Sequence, residues 1–462
     1  MPFMPVTESM FLLAESREHP MHVGGLQLFV PPPGEEEDFG ATVYDTLAEH
    51  TDVYKLLRKH PADPVNVLGN TWWSYDDDID FEYHLRRAVL PKPGRVRELL
   101  KYVSLNHSSP LDRHRPMWEF HVIEGLKDGR VAIYSKIHHS LVDGVSALKL
   151  MDKSLTSDPD ARDSGAFWDP ELFERRKPRG DLEKSGGSGP LSLLSSGVRA
   201  AGEVAGFGPA VAKIGLRKFR EHNLVLPLEA PRTMFNVPIG GARRFAAQQW
   251  SLTRIRGVAK DLGVTLNDVV LAMCGGALRS YLIDQNALPD QPLVAMVPVS
   301  TREAGADSSE GNAVTSVLCN LGTDQPDAER RLATITDSMN QSKAVLRDIS
   351  PLQALGYGAA VMAPLLFGQV PGYVRAAPPP FNVIISNVPG PKEEKYWNGA
   401  RLDGVYPASI VTDGLALNIT LASNADNLNF GLIGCRRTVP SLQRILTHLD
   451  NALEELEKLA DR

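Results

Sequence analysis

Two adjacent histidines, followed at a fixed distance by an acid and a glycine, form the motif of this 462-residue chain that is best suited to chemistry. The motif reads His138-His139-Ser140-Leu141-Val142-Asp143-Gly144. Imidazole is the side chain best able to accept and return a proton near neutral pH. The first hypothesis is therefore that one of these histidines acts as a general base.

A predicted strand delivers the two histidines. Residues 131–137 are rich in β-branched and aromatic side chains, and residues 127–130 form a turn that folds them back on residues 120–126 as a hairpin. Because side chains alternate along a strand, His139 shares a face with apolar residues of that strand, whereas His138 lies with Lys136 on the other face. Apolar surroundings favour the neutral, basic form of imidazole, so His139 is the candidate base.

The residues after the motif predict a helix, with Asp143 near its N-terminus, where a carboxylate is favoured. A buried, hydrogen-bonded structural histidine is one alternative to the general base. A metal site is another, but adjacent histidines on opposite strand faces converge poorly, and no HExxH or Cys/His cluster supplies further ligands. A Ser140 nucleophile is the third, although the GxSxG pattern is absent around it.

Further segments of the chain carry a resemblance to a known family. The histidine motif is preceded by residues 110–119 (PLDRHRPMWE), and two later segments read Leu266-Asn267-Asp268-Val269-Val270 and Ser386-Asn387-Val388-Pro389-Gly390-Pro391. With these motifs the chain resembles the bacterial wax ester synthase/diacylglycerol acyltransferase family, in the chloramphenicol-acetyltransferase-like superfamily of CoA-dependent acyltransferases. Met117 stands where the family usually has Leu, and residues 5–10 (PVTESM) lack the commoner Ser-Pro-x-Asp start. These departures bear on the substrate more than on the family.

The resemblance implies an α/β (α+β) fold of two chloramphenicol-acetyltransferase-like lobes. Each lobe is expected to be a mixed β-sheet with flanking helices, and the active-site tunnel is expected at the seam between them. We place the N-terminal lobe, which carries the histidine motif, at residues 1–184, and a Gly/Ser-rich linker with a connecting helix at residues 185–230. The C-terminal lobe, which carries the Asn-Asp pair, then spans residues 231–462. The length of the chain independently favours two domains.

The Asn-Asp pair is the second candidate for chemistry. Thr265 and Asp268 have the spacing of a capping box, which puts Asn267 at the second position of a helix. There the helix dipole is positive, and an amide side chain can donate hydrogen bonds to the oxyanion that forms when a thioester is attacked. Because the family's Asn-Asp pair belongs to the active-site region, we expect Asn267 to be that donor. The alternative is that Asn267 and Asp268 only start a helix.

The remaining motif residues are expected to support the site rather than to react. These supporting residues are His138, Asp143, Gly144 and Asp268. The resemblance implies that Asp143 pairs with an arginine and shapes the turn, and that Gly144 permits close backbone approach. Residues that bind the substrates remain unassigned.

The expected reaction is direct transfer of a long-chain acyl group from acyl-CoA, the co-substrate, to a hydroxyl. Diacylglycerol as acceptor would give triacylglycerol, and a fatty alcohol would give a wax ester. No metal or other cofactor is expected. One alternative is a condensation-type acyltransferase with a carrier-protein substrate, although no carrier-like segment is evident. Another is a lipid-binding or lipid-droplet surface protein without turnover; the intact His139, Asp143 and Asn267 argue against it.

Composition sets further limits on partners and location. With 43% hydrophobic and 23% charged residues the chain is an ordinary globular protein, and its net charge of -7 argues against a nucleic-acid partner. Three unclustered cysteines fit a reducing compartment, and the N-terminus lacks the pattern of a signal peptide. We expect a cytoplasmic protein with peripheral contact to the inner membrane face or to lipid droplets.

Residues 349–374 form a long uncharged segment. Three prolines argue against a membrane-spanning helix. A bent apolar segment that lines an acyl tunnel, one that rests on a bilayer, and ordinary buried core are the three interpretations that remain.

Overall fold

Two six-stranded sheets with flanking helices make up the part of the chain that the computed structural model describes, namely residues 2–63, 72–174, 223–300, 314–348, 351–366, 368, 370 and 372–462. The helices are α1 (Val6–Ala14), α2 (Phe39–Glu49), α3 (Phe81–His84), α4 (Val96–His107), α5 (Gly144–Lys153), α6 (Glu171–Glu174), α7 (Leu252–Asp261), α8 (Leu266–Asp284), α9 (Ala328–Arg347), α10 (Pro351–Leu366), α11 (Tyr373–Ala376) and α12 (Arg444–Ala460), with a 3₁₀ turn at Lys55–Arg58. The strands are β1 (His22–Val30), β2 (Lys59–Pro61), β3 (Trp73–Tyr75), β4 (Leu85–Val89), β5 (Trp118–Glu124), β6 (Val131–His138), β7 (Arg243–Ser251), β8 (Val294–Ser300), β9 (Val314–Asn320), β10 (Val383–Val388), β11 (Tyr396–Trp397), β12 (Ala400–Ala408), β13 (Leu417–Asn424) and β14 (Asn427–Cys435).

The first sheet has the order β11-β12-β1-β6-β5-β4 and contains the predicted hairpin. Strands β5 and β6 pair antiparallel, with Trp118 opposite Ile137, so the hairpin is confirmed. Strand β6 is buried along its whole length, which fits its run of β-branched and aromatic residues. Strand β4 pairs parallel to β5, so the sheet is mixed, as expected.

The second sheet has the order β7-β14-β13-β10-β8-β9 and is also mixed. Strand β13 is parallel to β10 and antiparallel to β14. Helix α8 packs on its outer side among α7, α9 and α12. By length and hydropathy α8 could span a membrane, but 72% of that window is buried inside the protein. Its apolar composition therefore fits a core helix that packs against other helices and the sheet.

The two sheets do not correspond to an N-terminal and a C-terminal part of the chain. Strands β11 and β12, which fall within residues 231–462, belong to the first sheet, where β12 pairs antiparallel with β1. Where β12 passes β14 of the second sheet, the backbones come so close that a side chain on Gly431 would meet the carbonyl oxygen of Pro407. Most of the expected linker, residues 185–222, lies outside the described residues.

Candidate active site

The histidine motif lies on a strand-to-helix turn, as the sequence predicts. Strand β6 ends at His138, and α5 begins at Gly144. Asp143 is the N-cap of α5, and its Oδ1 accepts a hydrogen bond of 2.7 Å from the backbone N–H of Ser146. This bond satisfies one of the free donors of the first turn, so the Asp143 carboxylate fixes where the helix starts.

Two contacts hold His139, one at its backbone and one at its ring. Its backbone N–H donates to the carbonyl oxygen of Met21 at 2.8 Å, and its imidazole stacks on the Phe11 ring with 4.2 Å between ring centres and 20° between planes. Its Nδ1 is buried and has no hydrogen-bond partner among the described residues. Its Nε2 is the ring nitrogen left to face the cavity that the residue lines.

Burial lowers the pKa of His139 to about 4. The interaction of the ring with its own backbone carbonyl raises the pKa, the positive charge of His138 would lower it, and Asp143 raises it, but burial is the largest effect. The imidazole is therefore neutral at physiological pH and can accept a proton.

The neighbouring His138 is fully buried and belongs to a structural network. Its Nδ1 accepts from the backbone N–H of Ser140 at 3.2 Å, and its Nε2 lies 3.5 Å from Glu15. The Glu15 carboxylate also accepts from Arg113 Nε at 2.9 Å and from the Met21 backbone at 3.0 Å. Burial would raise the pKa of Glu15, but hydrogen bonding to His138, with the Met21 N–H and the Arg113 charge, lowers it to about 2. An ionised carboxylate thus ties the turn to α1.

A cavity of about 690 Å³ lies between the two sheets, and His139 lines it. This volume is within the usual range of small-molecule sites. On the side of the first sheet, the cavity is lined by α1, β1, β6 and α5. On the side of the second sheet it is lined by β8, β9, β10 and β13, so the site lies at the seam, as expected. The apolar lining comprises Met10, Phe11, Ala14, Met21, Val23, Ile137, Ala147, Leu148, Met151, Met296, Pro298, Met362, Ala363, Leu365, Ile384, Val388, Pro407, Ala408, Ile410 and Leu415.

The uncharged segment at residues 349–374 contributes to this lining. Helix α10 places Met362, Ala363 and Leu365 against the cavity, and Gly368, which follows the helix in sequence, also lines it. This placement supports the interpretation of the segment as a tunnel wall.

Gly144 does not have the expected role. A side chain added there would meet no atom within 4 Å, so no backbone approaches it closely. Gly144 instead lines the cavity, and the space beside it is part of that cavity. The expectation of a close approach is therefore wrong, because the turn faces empty volume.

Asn267 and Asp268 lie at the start of α8. The capping box is confirmed: Thr265 Oγ1 accepts from the Asp268 N–H at 3.2 Å, and Asp268 Oδ2 accepts from the Thr265 N–H at 3.0 Å. Asn267 is not among the residues that line the cavity with His139. Of the motif residues, His139, Asp143 and Gly144 line the cavity, and the role of Asn267 stays a prediction.

Several residues of the site were not anticipated from the motifs. They are Phe11, Glu15, Asn418 and Thr420. The only trace of the last two in the sequence is the alternation of polar and apolar residues in Leu417-Asn418-Ile419-Thr420-Leu421. Within the described part of the chain, no group of three or more His, Cys, Asp or Glu side chains is arranged to hold a metal ion.

Family models match most of the chain. The model described as the wax ester synthase/diacylglycerol acyltransferase catalytic domain matches residues 4–270, and the one described as the WS/DGAT C-terminal domain matches residues 310–457. A Mycobacterium tuberculosis protein described as a probable diacylglycerol O-acyltransferase is 52% identical over 99% of both chains. The O-acyltransferase WSD of Acinetobacter baylyi is 39% identical over 99% of this chain and 97% of its own.

Solved structures show the same likeness. The wax ester synthase/diacylglycerol acyltransferase of Marinobacter aquaeolei VT8 is 41% identical, with a TM-score of 0.76 over 100% of both chains. The first condensation domain of the CDA synthetase has a TM-score of 0.56 at 16% identity, over 99% of this chain and 95% of that one. At that identity the second likeness concerns the fold alone.

Proposed function

The chain belongs to the wax ester synthase/diacylglycerol acyltransferase family, and on that premise we propose that it transfers a long-chain acyl group from acyl-CoA to the hydroxyl of diacylglycerol, of a fatty alcohol, or of both. The observation that carries the proposal is the position of His139, a neutral imidazole that faces an apolar cavity built from both sheets. An apolar cavity suits acyl chains, and a neutral imidazole in its wall suits a hydroxyl acceptor.

The proposed reaction is a direct transfer with His139 as general base. Its Nε2 takes the proton of the acceptor hydroxyl while the acceptor oxygen attacks the thioester carbon. Collapse of the tetrahedral intermediate breaks the carbon–sulfur bond, and the imidazolium returns the proton to the departing CoA sulfur. Stacking on Phe11 keeps the ring plane in one orientation, and the Met21 carbonyl holds the His139 backbone through both proton transfers.

The test uses purified protein with palmitoyl-CoA and, in parallel, dioleoylglycerol and hexadecanol, with thiol release and lipid product followed together. The wild-type protein is expected to form product with at least one acceptor, and His139→Ala to lower kcat by about 10²–10⁴-fold. His448→Ala is the matched control, because this histidine pairs with Asp284 on the far side of α8 and does not line the cavity. Full turnover by His139→Ala would overturn the proposal, and bound lipid without any product would favour a lipid-binding protein.

We propose further that the protein is cytoplasmic and works in peripheral contact with a membrane or lipid-droplet surface. The support for surface contact is the exposure of three large apolar side chains, which we call the patch: Phe3, Leu13 and Trp72 are 61%, 52% and 45% exposed. The Phe3 and Trp72 rings pack edge to face, 5.4 Å apart, and Leu13 lies on α1, the helix whose Met10 and Phe11 line the cavity. Acceptor lipids could then enter from the surface on which the patch rests.

Vesicle flotation tests this surface. Triple substitution of the patch residues by Ser is expected to reduce binding to phosphatidylcholine vesicles that contain dioleoylglycerol by about tenfold or more. Val89→Ser is the control, since Val89 is 71% exposed at the end of β4. Equal flotation of the triple variant and the wild-type protein would contradict the proposal.

A further inference from the structure

Strand β13 lies in the middle of the second sheet, between β14 and β10. Asn418 and Thr420 occupy alternate positions on it and therefore share one face, and both line the cavity. His139 lines the same cavity from the first sheet. The two sheets thus bring a base and an amide to one enclosed space.

The Asn418 amide is fixed by its neighbour. Thr420 Oγ1 donates to Asn418 Oδ1 at 2.8 Å, so the amide oxygen is occupied and Nδ2 is turned the other way. Asn418 is only 2% exposed, yet Nδ2 has no acceptor among the described residues. Asn418 lines the cavity and its Nδ2 is not among the fully buried polar atoms that lack a partner, so this donor is open to a ligand in the cavity.

We propose that Asn418 Nδ2 donates to the thioester carbonyl oxygen and to the oxyanion that develops on it, and that Thr420 is the positioning residue that orients this amide. The inference deepens the proposed function and rests on it. When the acceptor oxygen bonds to the thioester carbon, the carbonyl π electrons move to the oxygen, where Asn418 stabilises the charge. When C=O re-forms, the carbon–sulfur bond breaks and His139 returns its proton to sulfur.

Other polar groups of the cavity are less suited to this role. Ser316 and Ser386 also line the cavity, but a serine hydroxyl can rotate about its C–O bond and would have to reorganise around the oxyanion. Asn267 is absent from the cavity lining. A donor that is already oriented before the reaction stabilises developing charge without that reorganisation, which is why the Thr420–Asn418 bond matters.

Steady-state kinetics with palmitoyl-CoA test the assignment. Asn418→Leu, which keeps the approximate shape and removes the donor, is expected to lower kcat by about 10²–10³-fold with little change in KM. Thr420→Val should lower kcat by about tenfold, and Thr420→Ser, which keeps the hydroxyl, should restore it. Asn429→Ala is the matched control, because this buried asparagine of β14 donates to Ala422 and does not line the cavity.

A second measurement separates catalysis from folding. S-hexadecyl-CoA, a thioether, lacks the carbonyl oxygen, so its Kd should be the same for the wild-type protein and Asn418→Leu. Unchanged thioether affinity with lost turnover supports the assignment. Wild-type kcat in Asn418→Leu would overturn it, and so would a parallel loss of kcat and thioether binding, which indicates damaged structure. An inactive wild-type protein would instead overturn the proposed function.

Discussion

At His139, a stacked phenyl ring and one main-chain hydrogen bond hold the imidazole while burial keeps it neutral. No carboxylate is needed to orient the ring, because Phe11 fixes its plane and Met21 fixes its backbone. Asp143 acts on the helix that follows, as the N-cap of α5. The base and its support therefore use separate interactions, and changes to one should be separable from changes to the other.

The low pKa of His139 predicts the acid limb of the activity profile. Because burial lowers this pKa to about 4, the base stays unprotonated well below pH 6.5. The ratio kcat/KM, which reports the free enzyme, should stay within twofold between pH 5 and pH 7. The measurement is initial thiol release across that range, and a half-maximal value near pH 6.5 would contradict the assignment.

Glu15 predicts a stability effect at the same turn. Replacing Glu15 by Gln removes a buried charge that pairs with Arg113 and faces His138, which leaves the arginine without its partner carboxylate. The free energy of unfolding should fall by about 3 kcal/mol, as measured by urea denaturation. Glu18→Gln is the control, because that side chain is exposed. A loss below about 0.5 kcal/mol would show that the pair contributes little.

At the scale of elements, features that depend on neighbouring residues could be predicted, whereas a feature that depends on residues distant in the chain could not. The hairpin and the start of α8 could be predicted, because a turn, a strand pattern and a capping box each depend on a few neighbouring residues. The role of β13 could not. Polar residues at every second position are typical of a strand with one solvated face. The polar face of β13 forms a cavity wall instead, because the first sheet lies opposite it. Asn267 was assigned from the family pattern, and its helix start does not reach the cavity lining.

The capping box predicts how α8 depends on one carboxylate. Asp268→Ala removes the acceptor for the Thr265 N–H and hydroxyl, which bond to it at 3.0 and 2.6 Å. The free energy of unfolding should fall by about 1–3 kcal/mol, since the group is buried at the start of a core helix. The loss is measured by thermal unfolding, calibrated with a denaturant series. Asp261→Ala, an exposed acid at the end of α7, is the control, and equal losses in both variants would contradict a specific cap.

At the scale of the whole molecule, buried histidines link stability to pH. Burial lowers the pKa of His22, His84, His107, His121 and His139 below the ordinary value of 6.5. At pH values between 6.5 and these lowered pKa values, the unfolded chain binds more protons than the folded protein. Stability therefore rises with pH across this window and is lost as pH falls.

This linkage predicts that the free energy of unfolding declines from about pH 6.5 downwards, before the carboxylates begin to titrate. Glu15 and Glu119, whose pKa values fall to about 2 through hydrogen bonds and charges that outweigh burial, add their loss only below about pH 4.5. Urea denaturation at half-unit steps from pH 7.5 to pH 5 measures the first part. A constant free energy from pH 6.5 to pH 5 would contradict it.

The position of β12 in the first sheet also sets when that sheet can be completed during synthesis. The chain must reach Ala408 before β1 has neighbours on both sides, β6 on one and β12 on the other. Until then one edge of β1 stays open to pairing with other chains. The first sheet therefore cannot be completed until most strands of the second sheet have been synthesised. A fragment that ends before β12 would leave that edge of β1 unpaired.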